Sequence, residues 1–211
     1  TFTGQSMDFT VASGHVGDLV VDQGSVVITG IGFKGHYTTQ LEVVADISGP
    51  VDQALSLLDH PPLEFASRAK LDPEAASGRV AGELRIGMHR GFDRSEVRVA
   101  AEATITDVAI ATEAIDVSGG QLRLTVDAET VNVAGEAVVN GIPLTLEVQD
   151  RLGENGIDRR YQVSGSPDAS ALRGLGVDLP IGLEGEIGLS ATVVETPAGR
   201  TADIALDLTP T

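Results

Sequence analysis

The chain of 211 residues has no cysteine and no tryptophan, and aromatic residues make up 3% of it. The missing cysteines exclude a disulfide framework, thiolate metal sites and a cysteine nucleophile. The shortage of rings removes the stacking platforms that single-stranded nucleic acids and sugars use. Basic side chains are scarce as well: 14 Lys and Arg stand against 31 Asp and Glu, for a formal net charge of −17. Such a surface repels phosphate backbones, so no nucleic-acid partner is expected. It also repels an anionic membrane surface, unless contact is made through an apolar rim. No run reaches the roughly 20 apolar residues of a spanning helix. The opening TFTGQSMDFTV has no charged region followed by an apolar one, so it does not read as a signal peptide. It also lacks an initiator Met and already alternates like a strand. The expectation is a segment of a longer chain, with any anchor or targeting signal outside it.

What the chain does hold is aliphatic. Hydrophobic residues are 42% of it, mostly Val, Ala, Leu and Ile. A strand unit recurs: GDLVVDQGSVVITG from Gly17 to Gly30, then GQLRLTVDAETVNVAG from Gly120 to Gly135. Each is followed by a strand with a Leu-Glu-Val core, Thr38 to Asp46 and Ile142 to Asp150, and a fainter echo runs from Ile181 to Val194. Repetition of an amphipathic β unit predicts a sheet extended by stacking, usually a surface rather than a catalytic pocket. The domain reading is a single β-repeat segment over 1–211, with units near 17–50, 117–150 and 181–208 and a helical insertion at 49–63.

Period-two alternation dominates. Val97, Val99, Ala101, Ala103 and Ile105 oppose Glu96, Arg98, Glu102 and Thr104, and Leu122, Leu124 and Val126 oppose Gln121, Arg123, Thr125 and Asp127. Leu183, Ile187 and Leu189 do the same near the end of the chain. Alternation of this kind predicts antiparallel strands with one dry and one wet face. Asp22-Gln23-Gly24, Ser118-Gly119-Gly120, Asn140-Gly141, Glu154-Asn155-Gly156 and Pro197-Ala198-Gly199 read as turns, giving about ten to twelve strands. Helix is expected at Gly49 to Leu63, where Val51, Ala54, Leu55 and Leu58 share a face between Pro50 and Pro61-Pro62. A shorter one is expected at Ser166 to Gly176, capped by Asp168 or Ser166. Two short helices cannot cover so many strands. The sheet either closes on itself or forms a partly open groove, which the first helix would cap.

No motif assembles catalysis. Gly30-Ile31-Gly32-Phe33-Lys34-Gly35 fits GxGxxG, but the residues after it read as a strand, whereas a nucleotide site needs a helix opening there. His15, His36, His60 and His89 lie in no zinc pattern, although His15 and His36 would approach if their strands paired. Asp150, Glu154, Asn155, Gly156 and Asp158 loosely echo a calcium loop and miss its spacing. No GxSxG elbow occurs. No catalytic residue, metal or cofactor is expected.

GPVDQALSLLDHPPLEFASRAKLDPEAASGRVAGELRI, Gly49 to Ile86, and the repeats from Ala114 to Val148 resemble the AsmA-like superfamily, in particular large envelope proteins of the YhdP and TamB type. The resemblance implies a mainly β fold: an extended, twisted antiparallel sheet curled into a groove (a β-taco) with one or two short helices. It implies a non-catalytic segment of a periplasmic protein whose full length is anchored in the inner membrane. The groove would shield acyl chains in phospholipid transport between the two membranes, with phospholipid or another acyl lipid as partner. Val97, Val99, Ile105, Leu122, Leu124, Val126, Leu144, Leu146, Ile187 and Leu189 would line it. The alternative is an assembly module that engages envelope or outer-membrane proteins through its sheet edges.

Overall fold

The computed structural model of the chain describes residues 5–31, 39–60, 66–67, 72–89, 97–111, 116–127, 129–151, 158–174, 177–180 and 182–208. The first elements are β1 (Gln5–Val11), β2 (Gly14–Val16), β3 (Leu19–Ile31), β4 (Gln40–Pro50) and α1 (Val51–Leu58). A 3-10 turn at Pro73–Ala75 leads into β5 (Ala76–His89), β6 (Arg98–Ala111) and β7 (Asp116–Val126). Then come β8 (Thr130–Val139), β9 (Ile142–Arg151), β10 (Arg159–Gly165), α2 (Ala169–Gly174), β11 (Gly188–Thr196) and β12 (Gly199–Asp207). The strands make one open antiparallel sheet, ordered β1-β3-β4-β5-β6-β7-β8-β9-β10-β11-β12 with β2 beside β3. Sequential order is what short links between alternating strands give. The order has two ends, so the sheet is not a closed barrel. Contacts divide the chain into two compact units: unit 1 is Thr1–Ile105 with Thr125–Ala128, and unit 2 is Thr106–Leu124 with Glu129–Thr211.

The turn signals divide into true reversals and bulges. Asn140 (φ 49) and Gly141 (φ 81) close the β8–β9 hairpin between Val139 and Ile142. Two successive positive φ values make the turn that matches strand twist, and Asn-Gly adopts it at least cost. Pro197 and Ala198 likewise turn β11 into β12, between Thr196 and Gly199. Asp22-Gln23-Gly24, by contrast, is no turn. β3 runs straight through it, pairing Val21 with Ile47 and Gln23 with Asp46, so Asp22 is an extra, bulged residue. The bulge changes the phase of the strand: Leu19 and Val21 before it share a face with Val26 and Ile28 after it. Ser118-Gly119-Gly120 also lies inside a strand, β7, with φ of 64 and 88 at the glycines. A Cβ on Gly120 would stand 2.0 Å from the Glu136 carbonyl oxygen, so the glycine permits close approach to β8. The two sequence copies therefore differ in structure: Gly17 to Gly30 is one bulged strand entered by a tight turn, and Gly120 to Gly135 is two strands. Glu154-Asn155-Gly156 lies outside the described residues.

The helix expected over 49–63 is shorter. α1 starts after Pro50 (φ −69, ψ 143), whose fixed φ suits a helix entrance, and has Asp59 as its C-cap. The Asp59 carboxylate then accepts hydrogen bonds from the Ser67 backbone N–H (2.7 Å) and hydroxyl (2.8 Å). These bonds hold the Asp59 carboxyl below its ordinary value. α2 is capped by Asp168, which accepts from the Ser170 N–H at 2.8 Å. The segment after it is tied back by Arg173, which donates to the carbonyls of Leu183 (2.6 Å) and Pro180 (3.3 Å).

Candidate functional site

Residues directly opposite each other on paired strands share a face, so the registers place the side chains in rows. In unit 1 one row is Met7–Ile28–Leu41–Met88, and the next on the same face is Phe9–Val26–Val43–Ile86. Val11–Gly24–Ala45–Leu84 follows, then Val21–Ile47–Gly82. The first two rows hold Met and Phe, whereas the last two include Gly24, Ala45 and Gly82. The small end is where α1 packs on β4 and β5. There Leu19 (1% exposed) lies against Gly49, whose added Cβ would come within 2.9 Å of it, and Val51 and Val80 are buried. The large end has no such cover among the described residues: Met7 is 50% and Phe9 49% exposed. The reverse face is more polar, with rows such as Asp8–Val27–Glu42–Gly87. A hollow of about 450 Å³ is lined by Thr29, Gln40, Glu42, Arg85 and Arg98 of this face together with Leu41, Ile86, Met88 and Val99 of the apolar one, and holds no nucleophile beside a base.

The expected lining residues fall into both units. Val97, Val99, Ile105 and Val126 belong to unit 1. Val99 and Val126 are buried, Val97 and Ile105 partly so. Gly82 fixes the face of β6: a Cβ built on it would lie 2.6 Å from that of Ala103, so Ala103, Val99 and Ile105 share the face of Leu84. Of the helix residues, Val51 is buried, while Ala54, Leu55 and Leu58 are partly buried. In unit 2, Leu122 and Leu124 are buried on β7. Leu144 and Ile187 lie in a core with Ile142, Ala169, Leu172 and Leu179, and Leu146 and Leu189 pack against it. α2 and the segment after it supply Ala169, Leu172 and Leu179, so the apolar area of Leu144 and Ile187 is already in contact with protein.

The far end of the same face in unit 2 is charged. There the register aligns Val131–Asp150–Arg159–Glu195–Arg200 in one row. Arg159 is 9% exposed; its Nε donates to Asp150 Oδ2 at 2.9 Å, its Nη2 donates to the same oxygen, and its Nη1 donates to the Tyr161 hydroxyl at 3.2 Å. Burial works against the Arg159 charge, and the bonds to Asp150 and Tyr161 more than offset it, raising the guanidinium above its ordinary value. The stretch that echoed a calcium site thus has both its ends engaged in ion pairs: Asp150 with Arg159, and Asp158 with Arg151 at 3.4 Å.

The remaining motifs contribute no assembled site. His15 is exposed on β2, His60 Nδ1 lies 2.8 Å from the Ser56 carbonyl oxygen, and His36 with most of the GxGxxG stretch lies outside the described residues. Among the described residues no three His, Asp or Glu side chains gather as a metal set, and no helix is long and apolar enough to cross a membrane. The sequence reading missed Met7, Phe9, Ile86 and Met88, although both MDFTV and LRIGMH carry the period-two signal. No protein-family model, no curated protein and no solved structure matches this chain.

Proposed function

We propose that this chain is a non-catalytic, lipid-handling segment of a bacterial envelope protein of the AsmA-like kind. Its apolar sheet face shields acyl chains in phospholipid transport between inner and outer membranes. On this reading it works in the periplasm, as part of a protein anchored in the inner membrane. The observation that carries the reading is the pair of rows Met7–Ile28–Leu41–Met88 and Phe9–Val26–Val43–Ile86, which are apolar throughout. Met7 and Phe9 are about half exposed and the other six side chains partly buried, and contiguous apolar surface left open to solvent marks an interaction site. Aliphatic side chains without hydrogen-bonding groups suit an acyl chain, and each methylene buried gains about 0.8 kcal/mol. On the next strand, β6, Val99 and Ile105 lie on the same face, Val99 buried and Ile105 partly so.

Native mass spectrometry of protein purified from cells without detergent tests the reading. Phospholipid should co-purify with it, and Phe9→Asp together with Ile86→Asp should remove that lipid while the circular dichroism stays unchanged. Protein that is lipid-free from cells, and that takes up no spin-labelled phosphatidylglycerol from vesicles, would sink the proposal.

The alternative is an assembly module that engages envelope or outer-membrane proteins through its sheet edges.

A further inference from the structure

A glycine inside a strand weakens it, and its usual reasons are a bulge, a tight bend, or the close approach of another backbone or a ligand. Gly82 and Gly165 have such a reason: an added Cβ would stand 2.1 Å from the Glu102 carbonyl oxygen in the first case and 2.7 Å from Leu144 in the second. Gly87 in β5 has none within the protein. Its φ is not positive, β5 pairs with β4 without a bulge from Gln40–His89 to Pro50–Arg79, and an added Cβ would meet only the Arg98 Cβ, at an ordinary 3.9 Å. What the missing side chain leaves is a gap on the polar face. The row Asp8–Val27–Glu42–Gly87 is continued onto β6 by Arg98. Gly87 thus separates a carboxylate on β4 from a guanidinium on β6, two strand spacings or about 10 Å apart at the backbone. Glu42 and Arg98 are both exposed, and neither takes part in an ion pair among the described residues. β3, β4, β5 and β6 each lie between two other strands, so the gap owes nothing to a sheet edge.

The hollow of about 450 Å³ has Gly87 in its lining, with Glu42 and Arg98 and also Arg85, Thr29 and Gln40. Arg85 gives one of the five donors of a guanidinium to Glu83, at 2.7 Å, in an exposed pair of little worth. In a chain of net charge −17, a hollow with two guanidiniums is a favoured place for an oxyanion. The planar guanidinium fork matches phosphate oxygens, two at a time. Glu42 across the gap disfavours a simple anion and favours one that also carries a cation. We infer that the hollow over Gly87 binds a small zwitterion whose phosphate and ammonium stand a few bonds apart. The phosphate lies on Arg98 and Arg85, the ammonium lies at Glu42, and Thr29 and Gln40 offer neutral hydrogen-bonding groups. A free aminoalkyl phosphate and the headgroup of an aminophospholipid share this chemistry. The site does not rest on the lipid reading, which concerns the opposite face.

The test titrates phosphoethanolamine, inorganic phosphate and ethanolamine into the whole chain at low ionic strength, where exposed charges are least screened. The amide resonances of Glu42, Gly87 and Arg98 report binding. Phosphoethanolamine should shift all three and bind at least about tenfold tighter than either fragment, a difference of about 1.4 kcal/mol. Glu42→Gln should abolish its advantage over phosphate, and Arg98→Gln should weaken both; the two side chains are exposed, so neither change threatens the fold. Gly87→Val should fill the gap and abolish binding while raising the thermal unfolding midpoint, because a β-branched residue suits a strand better than glycine. Vesicles holding phosphatidylethanolamine should compete if the source is a lipid headgroup and should not if it is the free compound, and both results keep the site. Equal affinities for phosphate and phosphoethanolamine would reduce the effect to unspecific attraction and overturn the proposal. Undiminished binding by Gly87→Val, or shifts confined to other parts of the chain, would overturn it equally.

Discussion

The two units solve the same problem by different means. Each has an antiparallel sheet with an apolar face, and each covers one end of that face with a short helix. In unit 2 the cover is a real core: α2 and the segment after it bury Leu172, Leu179 and Ile187 to 2%, 8% and 1% exposure. The far end there finishes in the Asp150–Arg159–Glu195–Arg200 row. Unit 1 has a thinner cover, since α1 buries Val51 alone of its residues, and its far end finishes in the methionines and Phe9. A face ended by charge is suited to water, whereas the Met7 and Phe9 end leaves apolar area uncovered among the described residues. On the proposed reading, the uncovered end of the unit 1 face is where a ligand would lie.

The comparison breaks most readily at Asp150. With 11% and 16% of their side chains exposed, Arg159 and Asp150 form a nearly buried pair. Asp150→Ala removes both carboxylate hydrogen bonds of the nearly buried guanidinium, leaving it the Tyr161 hydroxyl and Glu195 on the facing strand, and should cost about 3 kcal/mol, read from the urea unfolding midpoint. Replacing the pair together, Asp150→Leu with Arg159→Met, should recover most of that loss. A single variant of near wild-type stability would show that the charged row does not terminate the face as argued.

Smaller effects should separate a core from a surface. Ile187→Ala removes a side chain 1% exposed within a closed cluster and should cost about 3 kcal/mol. Phe9→Ala removes a larger side chain that is 49% exposed, and should cost under about 1 kcal/mol. Amide exchange followed separately in β9–β11 and in β3–β5 checks both, because each loss should be confined to its own unit. Equal costs would mean that the Phe9 row is covered by protein and would remove the basis for assigning it to a ligand.

How far the fold could be read from the chain depended on whether a signal was local. Alternation along Leu122, Leu124 and Val126 needs no knowledge of neighbours, and it led directly to a mainly β, antiparallel sheet with few helices, while leaving closed and open arrangements of that sheet equally possible. The helix faces were legible for the same reason, through period 3.6 and the cap at Asp168. The bulge at Asp22 was misread because Asp-Gln-Gly is turn chemistry. The distinguishing signal was the phase change from Leu19 and Val21 to Val26 and Ile28, which a reversal would not require. The pairing of Asp150 with Arg159 was invisible, because nothing in the chain reveals which residues a given register sets opposite each other. The same lack hid the Met7 and Phe9 rows: each strand showed its own alternation, but only β1–β3–β4–β5 pairing joins the rows into a surface.

The smallest expected effect concerns the carboxylates that tie each helix region. Asp168 in unit 2 is held below 3.8 by the Ser170 backbone N–H and hydroxyl, with a further contribution from Arg173. Asp59 in unit 1 is held below 3.8 by the backbone N–H and hydroxyl of Ser67. A carboxyl depressed on folding means that the unfolded chain binds more protons in this range, so stability falls as pH falls. The contribution is complete above 3.8 and is lost as pH drops through the lower folded values. Both groups are exposed, so the loss is local loosening rather than unfolding. The Ser170 and Ser67 amide resonances, followed from about pH 5 to pH 2, should shift with midpoints below 3.8. Asp168→Asn should flatten the first and leave the second untouched, and Asp59→Asn should do the reverse. A midpoint at or above 3.8 for Ser170 would mean that Asp168 is not ion-bonded to the start of α2. The helix over the unit 2 core would then rest on apolar packing, the Ala169 N–H bond to the Gly185 carbonyl and the Arg173 bonds, its entrance without a side-chain cap as that of α1 is at Pro50.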